Sequence, residues 1–273
     1  MSKQPASRDG ISVAIPVHNA ADRLEKAVPP WGDALVRLGR DYEIIVVDDG
    51  STDATPAILE AFAAGRVRHL QVARHDSPRG YGACLRTAVE QARMPLFFYT
   101  GLDYPYSTND LAKLLQRIEV RDEFLNRQPD LISGCRTGRV APLPVDVVGN
   151  LWRLFCRVAL GLQIAKPMAW PGLRQYLFGQ WVKWTLGVPF ADVNSKFKLY
   201  RTAFLKRFPI QSDGEFVHTE LAAKATFLTS IMDELPLTAA EAEVKPGPVW
   251  RDFWRVFNNP DFGNPTKAPE AAS

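Results

Sequence analysis

The sequence predicts an α/β fold built on a mainly parallel, twisted sheet, and three observations predict it. Apolar runs at Ile11–Val17, Ile44–Val47 and Pro95–Thr100 lack polar alternation, which suits inner strands covered on both faces. The first two end abruptly in polar residues, His18-Asn19 and Asp48-Asp49-Gly50-Ser51-Thr52-Asp53. Helical spacing follows, with Ala20, Ala21, Leu24, Ala27 and Val28 after the first run, so that strand, turn, helix and strand outline a right-handed βαβ unit.

The carboxyl ends of such strands are where open α/β sheets bind ligands. After the second run, Ser51 or Thr52 can cap the next helix, with Asp53 in its first turn. Strand, turn and cap explain Gly50, Ser51 and Asp53. They give no reason for two adjacent acids, which repel each other unless a donor is present, and a ligand with N–H or hydroxyl groups would supply one. Gly80 and Gly82 precede a further helix, where glycine allows close backbone approach and the helix amides favour an anion. The third run leads into Gly101-Leu102-Asp103. Basic residues punctuate Asp192–Arg201.

The pair Ile15-Pro16-Val17-His18-Asn19 and Val46–Asp53 resembles the opening of the family-2 glycosyltransferases, enzymes of the GT-A fold. Gly80–Ala88 is similar to that family's glycine-rich helix start, with Tyr81 where lysine is common. The resemblance implies a Rossmann-like sheet flanked by helices, a single domain with an acceptor-side helical extension, and a nucleotide site formed by Pro16, Val17, Asn19, Asp48, Asp49, Ser51, Gly80, Gly82 and Arg86. Family members carry two acids after the third strand for a divalent metal. Anchored on the helix at Ser107–Leu115, Asp103 takes the second acid's place and Gly101 the first's. Mg2+ or Mn2+ at Asp103 is the implied cofactor, since magnesium is held by one or two carboxylates with substrate phosphates and water. A lone aspartate in a turn is the alternative.

Leu131–Arg136 resembles the strand that meets phosphate in the lipid-phosphate branch, and implies that Arg136 does so; a loop arginine can equally be solvated. Asp192–Arg201 resembles a block of the dolichyl- and polyprenyl-phosphate sugar transferases, with Lys196 in place of glycine and Lys198 in place of arginine. It implies an acceptor or phosphate site of Asp192, Ser195, Lys196, Lys198 and Arg201, against the plainer reading of a strand with a solvated basic face. Val217–Ala225 resembles a family helix that keeps Glu220 and carries His218 where aspartate is usual. The implied catalytic set is Asp103, Arg136, Glu220 and His218. A histidine there is either an acid–base group or a satisfied, partly buried side chain.

The implied activity is inverting, metal-dependent transfer of a sugar from a nucleotide-diphosphate donor, with a polyprenyl phosphate as the favoured acceptor. The alternatives are a saccharide hydroxyl acceptor, or an impaired binding protein of the same fold. A nicotinamide enzyme would want a Gly-x-Gly-x-x-Gly turn after the first strand, which Pro16-Val17-His18-Asn19 is not.

The chain has 273 residues, 46% hydrophobic and 23% charged, with a net charge of +3 that is too small to announce nucleic-acid binding. Cys84, Cys135 and Cys156 are scattered and without metal spacing, which fits a reducing compartment. No apolar signal region opens the chain, so a cytoplasmic setting is expected. The expected organisation is a flexible N-terminus (1–10), a glycosyltransferase domain (11–240) with a nucleotide-sugar half (11–103) and an acceptor half (104–240), and a C-terminal extension and tail (241–273). Residues 147–190 stand apart: two tryptophan-bearing helical patterns whose only charges are Arg153, Arg157, Lys166, Arg174 and Lys183. They suit either peripheral contact with an anionic membrane, or packing on the domain's own core or a second copy.

Overall fold

A computed structural model of the chain describes residues 9–102, 108–136, 143–161, 173–193, 195–237 and 250–263. Two compact units emerge. One draws on residues 1–104, 199–216 and 248–273, the other on residues 105–198 and 217–247.

The first unit contains β1 (Ile11–Val17), α1 (Ala21–Leu38), β2 (Tyr42–Asp48), α2 (Thr55–Ala61), β3 (Leu70–Arg74), α3 (Tyr81–Gln91) and β4 (Leu96–Tyr99). With β6 (Lys198–Arg201) its strands lie in the order β3-β2-β1-β4-β6, and β1, β2, β3 and β4 pair in parallel. Every residue of β2 and β4 is buried, as expected for strands without polar alternation. On α1, Leu24, Val28 and Leu35 turn inward at helical spacing. The acid near the start of β2 is accounted for: Glu43 accepts from Ser12 Oγ at 2.6 Å, Arg93 N at 2.7 Å and Gln71 Nε2 at 2.7 Å. After β6 come α7 (Thr202–Leu205) and, near the end of the chain, α9 (Trp250–Asn258), whose Phe253 packs edge-on against Phe216.

The second unit contains α4 (Thr108–Glu119), β5 (Leu131–Arg136), α5 (Leu143–Leu160), α6 (Leu173–Leu186), α8 (Val217–Phe227) and β7 (Met232–Leu237). Strands β5 and β7 run parallel, Leu131 opposite Met232 and Arg136 opposite Leu237.

The helix after β2 starts later than the sequence suggests. Thr55 opens α2, and neither Ser51 nor Thr52 caps it. Asp53 serves there instead, its Oδ1 accepting from Thr55 N at 2.9 Å and its Oδ2 from Ala21 N at 3.2 Å. Ser51 is drawn away because its hydroxyl is spent on the neighbouring strand end, described next.

Candidate active site

Chain order and strand order together fix one place on the first unit. The chain runs β1, β2, β3 to one side, and β4 then returns to the other side of β1. The topological switch point of an open α/β sheet therefore lies at the carboxyl ends of β1 and β4, where a ligand crevice forms. Val17 stands opposite Asp48 in the β1–β2 register, and Ala14 opposite Tyr99 in the β1–β4 register. Pro16, Val17, Asn19, Asp48, Asp49 and Ser51 thus share the carboxyl edge of β1 and β2. Asp103, whose expected metal role falls there too, lies outside the described residues.

The edge is stitched by its own polar groups. Asn19, with φ at 45°, gives its N–H to Ser51 Oγ at 2.9 Å and accepts from Thr52 N at 2.9 Å. His18 Nδ1 donates to the Asp49 carbonyl at 2.8 Å. The two adjacent acids find internal donors rather than waiting for a ligand. Asp48 accepts from Ser51 N at 3.0 Å and meets Arg74 Nε at 3.4 Å. Asp49 accepts from His75 Nδ1 at 2.6 Å, Arg79 N at 2.9 Å and Gly80 N at 2.8 Å. Burial raises the Asp49 pKa, but His75 and then the two backbone N–H groups outweigh it and hold the carboxyl below the usual range. His75 passes the chain of bonds on, its Nε2 lying 2.9 Å from Thr87 Oγ1.

Asp49 Oδ, a His75 ring nitrogen and Cys84 Sγ all lie within 4.8 Å of one another, the one such group among the described residues. This donor set does not fit Mg2+, which takes oxygen ligands. The carboxylate is already filled by N–H donors, and burial, followed by the charge of Asp49, pushes the Cys84 thiol up, away from the thiolate that a soft metal needs. The cluster is a hydrogen-bonded anchor.

The glycine-rich turn is similarly committed. Gly80 has φ at 98°, and a Cβ there would stand 2.5 Å from the Asp213 carbonyl oxygen; at Gly82 it would overlap the Ser212 carbonyl. What approaches these glycines closely is the chain's own 212–213 backbone, and Gly82 N donates to Asp213 O at 2.7 Å. Arg86 secures the same loop, donating to Ser212 O at 2.8 Å, to Ile210 O at 3.2 Å and to the Asp213 carboxylate. From α9, Arg255 reaches the other Asp213 oxygen at 2.8 Å, and Asp252 accepts from Gly214 N at 2.7 Å. Arg201, at the end of β6, faces Asp9 at 3.4 Å. His75, Asp213 and Arg255 belong to no motif and were missed by sequence reasoning; a histidine five residues before Gly80 was the available signal for the first.

The second unit gathers the other expected residues. Glu234 on β7 holds the 191–192 turn, accepting from Ala191 N at 2.7 Å and Asp192 N at 2.9 Å, and burial raises its pKa. Ser195 is buried, its N–H on Asp192 O at 3.1 Å and its hydroxyl accepting from Phe197 N at 3.3 Å. Lys198 is fully buried, with its ammonium on the Val193 and Ser195 carbonyls, and Lys196, two residues earlier, is buried too, so the basic block is no solvated strand face. His218 on α8 is buried, and desolvation, then Lys198 and Lys196, depress its pKa far enough to keep it neutral. Glu220 is fully buried and paired with Lys224 at 2.7 Å, one turn along α8. Arg136 closes β5.

Residues 12–142 match the family model described as glycosyl transferase family 2. This segment is a family-2 glycosyltransferase domain. The family-2 segment holds all the strands of the switch point. The chain is 22% identical over 212 residues to the dodecaprenyl-phosphate galacturonate synthase of Rhizobium johnstonii, covering 78% of this chain and 54% of that protein. It is 29% identical over 114 residues to the undecaprenyl-phosphate 4-deoxy-4-formamido-L-arabinose transferase of Pseudomonas aeruginosa, 42% of this chain and 34% of that one. It therefore spans about half or less of the length of these relatives. Among solved structures, glucosyl-3-phosphoglycerate synthase from Mycobacterium tuberculosis, in complex with Mn2+, uridine diphosphate and glucosyl-3-phosphoglycerate, superposes with a TM-score of 0.54 at 18% identity, over 91% of this chain and 76% of that one. The architecture is the GT-A fold.

Proposed function

We propose that the protein is an inverting glycosyltransferase that moves a sugar from a nucleotide-diphosphate donor to a polyprenyl phosphate. The observation that carries the reading is the switch point in the family-2 segment, where the ends of β1 and β2 are pinned by Asn19, Ser51 and the Asp49 anchor beside the strand that leads to Asp103. Pro16 and Val17 line the base, Asp48 and Asp49 fix the edge that holds base or ribose, and Gly80, Gly82 and Arg86 keep the glycine turn in position next to it. A Mg2+ or Mn2+ ion would be held by Asp103 with donor diphosphate oxygens, and supplies positive charge to the leaving group.

In the transfer, an acceptor oxygen attacks the anomeric carbon in line while the bond to the diphosphate breaks, and the nucleotide diphosphate departs with the bonding electrons. Arg136 and the lysines Lys196 and Lys198 of the second unit balance phosphate charge. Two features of the second unit favour a phosphate acceptor over a saccharide hydroxyl. Glu220, the residue a hydroxyl acceptor would need as base, is committed to Lys224. His218 is neutral in a lysine-rich setting that suits an anion, and an anionic oxygen needs no strong base. The names of the Rhizobium and Pseudomonas relatives point to the same acceptor class. Polyprenyl phosphates lie in bilayers, so we place the enzyme at the cytoplasmic face of a membrane as a peripheral protein. The domain boundaries given above are part of the same proposal.

A donor screen by mass spectrometry, with polyprenyl phosphate and simple sugars as acceptors, tests the reading. Glycosylated lipid is expected, and Asp103→Asn should lower its formation at least about a hundredfold while nucleoside diphosphate binding loses its response to manganese. Metal-independent nucleotide binding without transfer to any acceptor would make the chain a binding protein instead.

A further inference from the structure

Between α7 and α8 the chain passes through residues 210–214, which form neither helix nor strand. Carbonyls in such a segment must find their donors elsewhere, and four in a row do so. Arg86 of α3 donates to Ile210 O at 3.2 Å and to Ser212 O at 2.8 Å, Arg255 of α9 to Gln211 O at 2.6 Å, and Gly82 N to Asp213 O at 2.7 Å. Gly214 N then donates to Asp252 of α9 at 2.7 Å. The loop is a joint between α3 on one side and α9 on the other. The Asp213 carboxylate repeats that arrangement in a single side chain, one oxygen accepting from Arg86 and the other from Arg255 at 2.8 Å.

What the joint holds is the glycine turn. Gly80 and Gly82 have no side chain with which to fix the entry into α3, and Gly82 N is a helix-start donor that no helical carbonyl satisfies. Its partner is the Asp213 carbonyl, and a Cβ at either glycine would collide with the 212–213 backbone. On its other side the turn is tied to the sheet. Gly80 N reaches Asp49 at 2.8 Å, and the Tyr81 carbonyl accepts from the hydroxyl of Tyr99, the last residue of β4, at 2.6 Å. The turn therefore stands at the carboxyl ends of β2 and β4, beside the switch point. Helix α9, outside the family-2 segment of residues 12–142, is itself firmly seated. Its Phe253 is buried with its ring 5.7 Å from that of Phe216, and past its end Gln211 donates to Asn259 O and accepts from Asp261 N, each at 2.8 Å. Asp213 and Arg255 are each nearly half exposed, so their ion pair contributes modestly to stability. Its consequence is where the turn sits.

We propose that Asp213 is a positioning residue for the nucleotide site: gripped by Arg86 and Arg255, it sets the glycine turn, and through it α9 raises the affinity for a nucleoside diphosphate. This rests on the proposed nucleotide role of Gly80, Gly82 and Arg86. A turn that is in place for only a fraction of the time lowers the apparent affinity by that fraction. The full-length chain is titrated calorimetrically with uridine diphosphate and with guanosine diphosphate, both with manganese, and hydrogen exchange of the 79–84 backbone is followed in the same preparations. Asp213→Asn and Arg255→Gln should each weaken binding of whichever nucleotide the parent takes about fivefold or more and speed exchange in the turn, while the melting temperature falls by no more than about 4 °C. Arg255→Lys, which keeps a cation for Asp213, should recover part of the loss. The double variant should bind at most about twofold worse than Asp213→Asn alone, because Arg255 acts through Asp213. Arg251→Gln, an exposed neighbour on the same helix, should match the parent. Parent-like affinity and exchange in Asp213→Asn and Arg255→Gln would overturn the proposal, as would fully additive losses, which place the effect of Arg255 outside Asp213. A parent that binds neither nucleotide would sink the nucleotide reading of the turn and this one with it; a parent that binds, with variants that match it, would sink only this one.

Discussion

His75 donates from Nδ1 to Asp49 Oδ1 across 2.6 Å, with both side chains buried. That bond ties the loop after β3 to the end of β2, and the other carboxylate contacts tie in the start of the glycine turn. Replacing His75 by alanine leaves a buried carboxylate short of a charge-assisted donor and should cost about 1.5–3 kcal/mol, read from urea unfolding. His75→Gln, which can still donate, should recover part of it. A wild-type midpoint in His75→Ala would show that Asp49 is held by its backbone donors alone.

Acid stability should follow the same carboxylate. Asp49 and Asp213 both have folded pKa values below the ordinary range; burial opposes this in each, and His75 with backbone N–H groups, or Arg86 and Arg255, outweighs it. A depressed folded pKa contributes stability that is complete above the unfolded value, about 4, and is lost as pH falls through the folded value. Urea midpoints should therefore begin to fall below about pH 6.5, where the unfolded chain protonates His218 and the folded chain does not, and show a second drop below about pH 4 from these carboxylates. Asp49→Asn should flatten that drop at the expense of stability at pH 7. An acid limb unchanged in Asp49→Asn would assign it elsewhere.

Much of this was legible in the sequence. Unbroken apolar runs announced β1, β2 and β4 because a strand covered on both faces has no use for polar alternation. The polar residues at their ends located the switch-point edge. What was not legible is which donors the acids use. Asp49 is served by His75, Arg79 and Gly80, brought to it by tertiary folding from 26 to 31 residues away. The glycine pair was equally opaque, since Gly80 and Gly82 make room for a loop more than 120 residues further along the chain, where Arg86 bonds Ser212 O at a separation of 126. Periodicity did find α5, but not that Leu151, Leu154 and Val158 of its apolar stripe are exposed; pattern gives a face, and only packing gives its direction.

Gly82 should be intolerant of the smallest side chain. A Cβ there would overlap the Ser212 carbonyl, and backbone cannot swing aside as a side-chain tip does. Gly82→Ala is expected to cost about 2–3 kcal/mol and to weaken nucleotide binding as the turn shifts. Gly179 on α6 is the control: a Cβ there meets nothing within 4 Å, so Gly179→Ala should be neutral or add up to about 1 kcal/mol through helix propensity. Thermal melts of the two variants side by side decide it. Equal melting temperatures would mean that the 212–213 loop relaxes freely.

The Glu220–Lys224 pair separates a structural role from a chemical one. Both side chains are almost fully buried, 2.7 Å apart on successive turns of α8. Removing one partner strands a charge in a low-dielectric site, so Glu220→Gln should destabilise by about 3–5 kcal/mol. Removing both, as Glu220→Gln with Lys224→Met, should restore most of that, because a neutral pair avoids the desolvation that two buried ions bear. If Glu220 acts only by holding α8, the double variant should regain sugar transfer to lipid phosphate along with stability. If it is the base for a hydroxyl acceptor, the double variant should fold and stay inactive at every pH. Urea titration and a transfer assay on the same preparations distinguish the two, and recovery of both quantities together is the expected result.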